Sequence, residues 1–392
     1  FVESHVEVSG VSVLVSGMRR HLRDIDVQRQ GCASLAIVSY FQDFNKLAIQ
    51  TYGGVDAIIA AMVLHKEDAE LQEHGCLAIW SLSTMTPPGS PGHDPEKAPE
   101  IQQTNRDRLE KVGGLNALIE ALNRHRDNPV TCERASRALI NLSHNSKPRS
   151  RKIFDEKGLT TLTKVMSTHT SNAHVCEQAA AAIKNISSSL HATSEDRGKA
   201  LEGLDEASKV IVRAMRKHYT NADLQRQSCS ALGNLALNVK LNERLETMKP
   251  IETISSAMKE HIKDADLQGR ACRTFIIMCG AKGPVKRYLA AASKDPNLAK
   301  HHPVRAVLRA VESHVTNPKL MADAFRALKE LLASSKEMCG MAAERLRKAK
   351  IPALVLGCRS GKLTILGDPK EEPGRTVLQY WDAVVKLVPA LK

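Results

Sequence analysis

Two lengths of amphipathic segment follow one another along the chain. The short one reads GGVDAIIAAMVLH from Gly53 or GGLNALIEALNRH from Gly113. Within it Val55, Ile58, Ile59 and Met62 fall at i, i+3, i+4 and i+7, which gathers them on one face of a helix. A polar turn comes next, KEDAE or RDNPV, whose Asp or Asn predicts an N-cap. The longer segment then opens, as in LQRQSCSALGNLAL from Leu224. No stretch sustains the two-residue alternation of a half-buried strand, so the pattern predicts an all-α protein.

A histidine closes each short segment, at His21, His65, His125, His169, His218, His261 and His314. The intervals cluster near 43 residues, with insertions, which is the signature of a helical repeat array. In the last turn of a helix a histidine is placed to bond free carbonyls and to favour the dipole. Stacked helices hold equivalent positions about 8–10 Å apart, whereas ligands to one metal ion must each lie within about 2 Å of it. The histidines are therefore expected to mark repeat geometry rather than a metal or catalytic site.

The long segments end in RALINLS (137–143), AAIKNIS (181–187) and SALGNLA (230–236), and two short ones open on Gly-Gly. In these features the unit resembles the armadillo repeat, over about residues 10–348. The resemblance implies a right-handed armadillo-type α-solenoid of about seven repeats (1–348), closed by a C-terminal helical cap (349–392). It also implies a concave groove lined by third helices, where an asparagine ladder bonds the backbone of an extended partner. The matching positions are Val38, Trp80, Asn141, Asn185, Asn234, Ile277 and Glu330. One turn earlier, where nuclear-import adaptors carry Trp, stand Ser34, Cys76, Arg137, Ala181, Ser230, Arg273 and Arg326. Without Trp pockets to grip lysine stems, the groove is expected to prefer acidic segments, as in catenin-like members. Asn141, Asn185 and Asn234 would bond partner backbone, and Arg137, Arg273 and Arg326 would pair with partner carboxylates. The alternative is that the three asparagines satisfy neighbouring backbone in their own chain.

Charge sharpens this expectation. The net charge is +13, yet the first 204 residues hold 23 Lys and Arg against 24 Asp and Glu, and the remainder holds 33 against 19. The excess lies in the second half, pointing to an acidic partner there. Apolar residues make up 42% and aromatics 3%, a balance that helical repeats tolerate. The nine cysteines include no C-x-x-C pair, which suggests reduced thiols used as core residues. A cytoplasmic location is expected, with a cilium or axoneme, or an organelle matrix if a targeting peptide preceded Phe1, as alternatives. No apolar run approaches the ~20 residues of a membrane helix, and no insertion is expected.

Two insertions interrupt the period. Thr84 to Thr104 (84–104) carries Pro87, Pro88, Pro91, Pro95 and Pro99 with Gly89 and Gly92, and is read as a loop. Thr86-Pro87 and Ser90-Pro91 are candidate proline-directed phosphorylation sites. A loop of this length, if ordered, is expected to be held by a partner. The second insertion, Lys294 to Pro303, joins Lys282, Lys286, Arg287, Arg305 and Arg309 in the densest basic region, suited to phosphates or an acidic protein surface. GCRSGKLT (357–364) fails as a phosphate loop because the first Gly is too close and Leu363 replaces the Ser or Thr. No acid, base and nucleophile assemble, and neither a cofactor nor a small-molecule substrate is expected. The reading is a non-enzymatic protein-interaction scaffold within a larger assembly. An RNA-associated peripheral subunit, or a cytoskeletal or ciliary adaptor meeting tubulin, stands as the alternative.

Overall fold

The turn from second to third helix in each repeat follows from a few residues around the histidine. The computed structural model describes residues 2–189, 199–280, 283–360, 366 and 371–391. The chain divides into two units, Phe1–Leu190 and His191–Lys392. In the first unit α1 (Val2–Arg20) and α2 (Ile25–Ser39) precede three three-helix repeats. These are α3 (Asp43–Thr51), α4 (Gly54–Leu64) and α5 (Ala69–Ser83); α6 (Ala98–Lys111), α7 (Gly114–Arg124) and α8 (Pro129–Ser143); α9 (Lys147–Asp155), α10 (Gly158–Thr168) and α11 (Ala173–Ser187). The third helices α2, α5, α8 and α11 pack one on the next.

The second unit opens with α12 (Lys199–Lys217) and α13 (Ala222–Ala236). It continues through α14 (Val239–Arg244), α15 (Pro250–Glu260) and α16 (Ala265–Met278), then α17 (Pro284–Ala292), α18 (Pro296–Ala299), α19 (Pro303–Ser313) and α20 (Pro318–Ala333). The closing segment is a further three-helix unit: α21 (Cys339–Lys348), α22 (Ile351–Arg359) and α23 (Gly374–Leu387). Helix α23 packs on α20 as α20 packs on α16, and the Phe325 and Trp381 rings meet at 5.2 Å. Among the described residues no strand forms, and no single helix is long and apolar enough to cross a membrane.

Three residues after each histidine stands an Asp or Asn: Asp24, Asp68, Asn128, Asn172, Asn221, Asp264 and Asn317. Each caps the third helix, its side-chain oxygen accepting from first-turn backbone N–H groups. Between first and second helices the chain turns through one left-handed residue. Gly53 and Gly113 take that position, and so do Lys157, Lys249 and Lys350 (φ 64°, 54° and 57°). The second glycine of the pair is the more constrained. A Cβ on Gly114 would lie 2.8 Å from the Leu109 carbonyl oxygen, so helix-to-helix approach excludes a side chain there.

The histidines mark repeat geometry, but by a bond different from the expected one. Rather than capping its own helix, the ring reaches back one repeat. His65 Nε2 donates to Leu22 O (2.8 Å), His125 to Lys66 O (2.8 Å), His169 to Arg126 O (2.6 Å), His261 to Tyr219 O (2.7 Å) and His314 to Ile262 O (2.7 Å). In every case the acceptor belongs to the residue just after the preceding histidine. That carbonyl lies in the turn before the third helix, where no helical donor reaches it.

A buried residue seven positions after the histidine closes the same turn from inside. Gln28, Gln72, Gln225 and Gln268 donate through Nε2 to their own repeat's histidine carbonyl and to a Met carbonyl three residues before it. In the third and fourth repeats Cys132 and Cys176 stand at this position, their Sγ atoms directed at His125 O and His169 O. All nine cysteines are free thiols and eight are buried. Burial alone pushes the Cys32 thiol up to about 12.

The Pro-rich insertion departs from expectation. It is a loop only as far as residue 97. Asp94 Oδ1 accepts from the backbone N–H groups of Glu96 and Lys97, α6 begins at Ala98, and Pro99 falls in its first turn, where a missing N–H costs nothing. The loop is held by α3 of its own chain. Lys46 Nζ donates to Thr84 O (2.7 Å) and Thr86 Oγ1 (2.8 Å), and the Thr86 hydroxyl donates to Asp43. Asp43 also accepts from Asp94 N (3.0 Å), while its own N–H donates to Gly92 O (3.0 Å). Lys46, Asp43 and Thr86 are all at most 1% exposed. Thr86 is thus a core hydroxyl closed to a kinase in the folded chain, whereas Ser90 is half-buried. The second insertion is likewise not all loop, since Asp295 caps the short helix α18 and Pro303 opens α19.

Candidate interaction site

Three-residue spacing puts Ile37 and Tyr40, at the end of α2, on one face with Ala36, beside Leu77 and Trp80 of α5, themselves three residues apart. Glu133, Arg134 and Arg137 of α8 complete a pocket of about 470 Å³ on the third-helix face of the first unit. Ile37 is 71% exposed and Tyr40 46%. Tyr40 stacks on Phe41 (4.0 Å between centroids) and approaches Trp80 (5.9 Å). The Arg137 guanidinium lies over the Trp80 ring, 5.1 Å from its centroid. Open aromatic and aliphatic surface with a few convergent polar groups is what ligand and peptide pockets are made of.

The sequence places Trp80 at an asparagine-ladder position and attaches no role to it. Nor does the sequence mark its neighbours Ile37 and Tyr40. The available signal was local density: Tyr40, Phe41 and Phe44 fall together in a chain with 3% aromatics.

The expected site residues distribute differently. Asn141 Nδ2 donates to Thr84 Oγ1 (2.7 Å) and, at 3.4 Å, to Trp80 O and Ser83 Oγ. Asn185 Nδ2 donates to Ile140 O (3.1 Å) and Ser143 Oγ (3.3 Å). Both amides thus close the frayed end of the preceding third helix, the alternative that the sequence left open. Asn234 is half-buried on α13 and already has a partner. Arg137 pairs with Glu133 (3.4 Å) and meets His174 Nε2 (3.1 Å). Arg273 pairs with Asp323, beside a small pocket between α16 and α20. Burial raises the Asp323 carboxyl above its ordinary range, against the pull of Arg273, Lys319 and Arg326. Arg326 lies 5.8 Å from the Tyr380 ring centroid. Arg287 donates to Glu243 O (2.7 Å), Lys286 is exposed on α17, and Lys282 lies outside the described residues, as do residues 361–364. Of the expected set, only Arg137 lines the aromatic pocket.

Three-helix repeats with stacked third helices, a left-handed corner and a pocketed third-helix face define the armadillo class of helical repeat proteins. The family model described as LRRK2 ARM repeat matches residues 5–302, and the chain belongs to that family. No curated protein matches it. Among solved structures, a crystal structure of an engineered protein from the Northeast Structural Genomics Consortium superposes with a TM-score of 0.59 at 17% identity, covering 97% of this chain and 98% of the other. A second engineered protein from that source gives 0.52 at 20% identity, covering 68% and 94%. At these identities the likeness is one of fold.

Proposed function

We propose that the protein is a non-enzymatic scaffold that binds an extended protein segment across the third helices of its first unit. The observation that supports this reading is the Ile37, Tyr40 and Trp80 surface, left open beside Arg134 and Arg137. Exposed aromatic clusters of this kind anchor interfaces, since they bury large area at little entropic cost. The partner would offer an apolar side chain to the pocket and a carboxylate to Arg134 and Arg137. Both arginines already pair with Glu73 and Glu133, so apolar contact would carry affinity and charge would carry selectivity.

The test uses a displayed library of extended peptides selected on the full chain. Occupancy is read by the fluorescence anisotropy of labelled peptides. Selected peptides should pair an apolar residue with an acidic one, and Trp80→Ala or Ile37→Asp should abolish their binding. Selection of peptides indifferent to both substitutions would place the interaction elsewhere.

A further inference from the structure

The second unit holds a pocket of a different chemistry. It lies between α15 and α19, encloses about 450 Å³, and is lined by Lys259, Lys300, His301, His302, Arg305 and Arg309, with no carboxylate in its wall. That volume falls within the range of small-ligand sites, about 300–1,000 Å³.

Two independent observations suit this pocket to an anion. The first is charge left unpaired. Elsewhere arginines of this chain meet carboxylates, as in Arg29–Asp68, Arg108–Asp56, Arg149–Glu110 and Arg345–Glu312. Lys259, Arg305 and Arg309 make no ion pair among the described residues, and Lys300 reaches only Asn297 Oδ1 at 3.4 Å. Crowding cations without counter-charge is costly, and an anion relieves it.

The second is an orphaned donor. His302 is 3% exposed and caps α19, its Nδ1 accepting from Val304 N (3.3 Å). The ring proton therefore sits on Nε2, which is buried without a partner. A buried N–H that bonds nothing is costly, and a nearby anionic charge offsets part of that cost. His302 is also the residue at the N-terminus of an eleven-residue helix whose first turn holds no acidic side chain. The positive end of that helix dipole adds to the same field.

We propose that the pocket between α15 and α19 binds a small anion carrying two or more phosphate groups, gripped by Lys259, Lys300, Arg305 and Arg309 beside the His302-capped N-terminus of α19. Four cationic side chains balance two phosphoryl groups, each bearing about −1.5 to −2 charges at neutral pH. A single phosphate leaves half of the cations uncompensated. The same chemistry is presented by a free diphosphate and by a bisphosphorylated lipid headgroup.

Pyrophosphate and inorganic phosphate are titrated into the full chain by calorimetry in 150 mM salt, and vesicles of phosphatidylcholine with and without a phosphatidylinositol bisphosphate are tested by flotation. Saturable one-site binding of pyrophosphate, tighter than that of phosphate, is the expected result. Arg305→Glu, an exposed position that leaves the fold intact, should weaken it at least about tenfold. His302→Asn keeps an N-cap and should weaken it by a smaller factor. Flotation of the bisphosphate vesicles competed by pyrophosphate would assign the site to a headgroup, and pyrophosphate binding without flotation would assign it to a free ligand. No heat with pyrophosphate, binding unchanged in Arg305→Glu, or retention only of RNA with steep salt dependence would each overturn the proposal.

Discussion

Lys46 Nζ and Asp43 Oδ1 lie 3.6 Å apart with both side chains sealed from water, and the Thr86 hydroxyl bridges them. Burial lowers the Lys46 ammonium from its ordinary value against the pull of Asp43. Removing one member of such a pair strands the other charge, at a cost of about 3–5 kcal/mol. Lys46→Met should therefore lose several kcal/mol in urea denaturation and open the 84–97 loop to protease. A loss under about 1 kcal/mol would mean the pair is not buried in solution.

The histidine ladder makes a prediction about protonation sites. A carbonyl can only accept, so His65, His125, His169, His261 and His314 must carry a proton on Nε2 whatever their charge. Long-range proton–nitrogen NMR spectra should show five Nε2–H rings. His169→Ala should cost about 1–2 kcal/mol by leaving the Arg126 carbonyl unmet. Rings protonated only on Nδ1 would contradict the geometry.

Thiol reactivity should be confined to one residue. Cys339 is half-buried and the other eight are buried. Titration with a thiol reagent should give one fast equivalent, lost in Cys339→Ser, with the remainder reacting at the rate of unfolding. Several fast equivalents would show that the cores of the repeats are open.

His302 sets a pH dependence. Burial, then Arg305, lowers it to about 4 against a weaker opposing pull from Glu337. The unfolded ring titrates near 6.5. Between these values the unfolded state binds more protons, so stability is fully present above pH 6.5 and is lost as pH falls toward 4. The loss is about 3 kcal/mol at its limit. It should appear in the wild-type minus His302→Asn difference in melting temperature, measured from pH 7.5 to 4.5, because the Asn variant has no ring to protonate. Parallel profiles would refute a neutral buried ring.

Charge reversal separates two arginines that the sequence treats alike. Arg273→Glu faces the partly buried Asp323 and should destabilise the second unit by roughly 2 kcal/mol. Arg326→Glu loses an exposed contact with Tyr380, worth about 0.5–1 kcal/mol, and a weaker attraction to Asp323 than that of Arg273. Equal losses in chemical denaturation would argue against the Arg273–Asp323 pairing.

The repeat frame was legible because its grammar is local. Histidine, the cap three residues on and the buried Gln or Cys seven residues on lie within one turn and its flanks. What escaped the sequence was whatever depends on residues some forty positions apart. Lys46 reads as a surface residue until Thr84 and Thr86 are seen to cover it. Asn141 and Asn185 look like partner ligands until the end of the preceding helix claims their amides. Trp80 occupies a position whose type suggests an amide, and its role appears only when Tyr40 and Arg137 surround it.

Because His65, His125, His169, His261 and His314 bond main chain through Nε2, the residue touched is free to be Leu22, Lys66, Arg126, Tyr219 or Ile262. A repeat copied from anywhere in the array would find the same handhold on its new neighbour. Such a coupling asks nothing of sequence on the receiving side, and it lies away from the junction between one third helix and the next first helix. Both large insertions occur at that junction or within the following first-helix region. The array can thus lengthen, shuffle and acquire new loops by duplication, with each copy arriving already compatible.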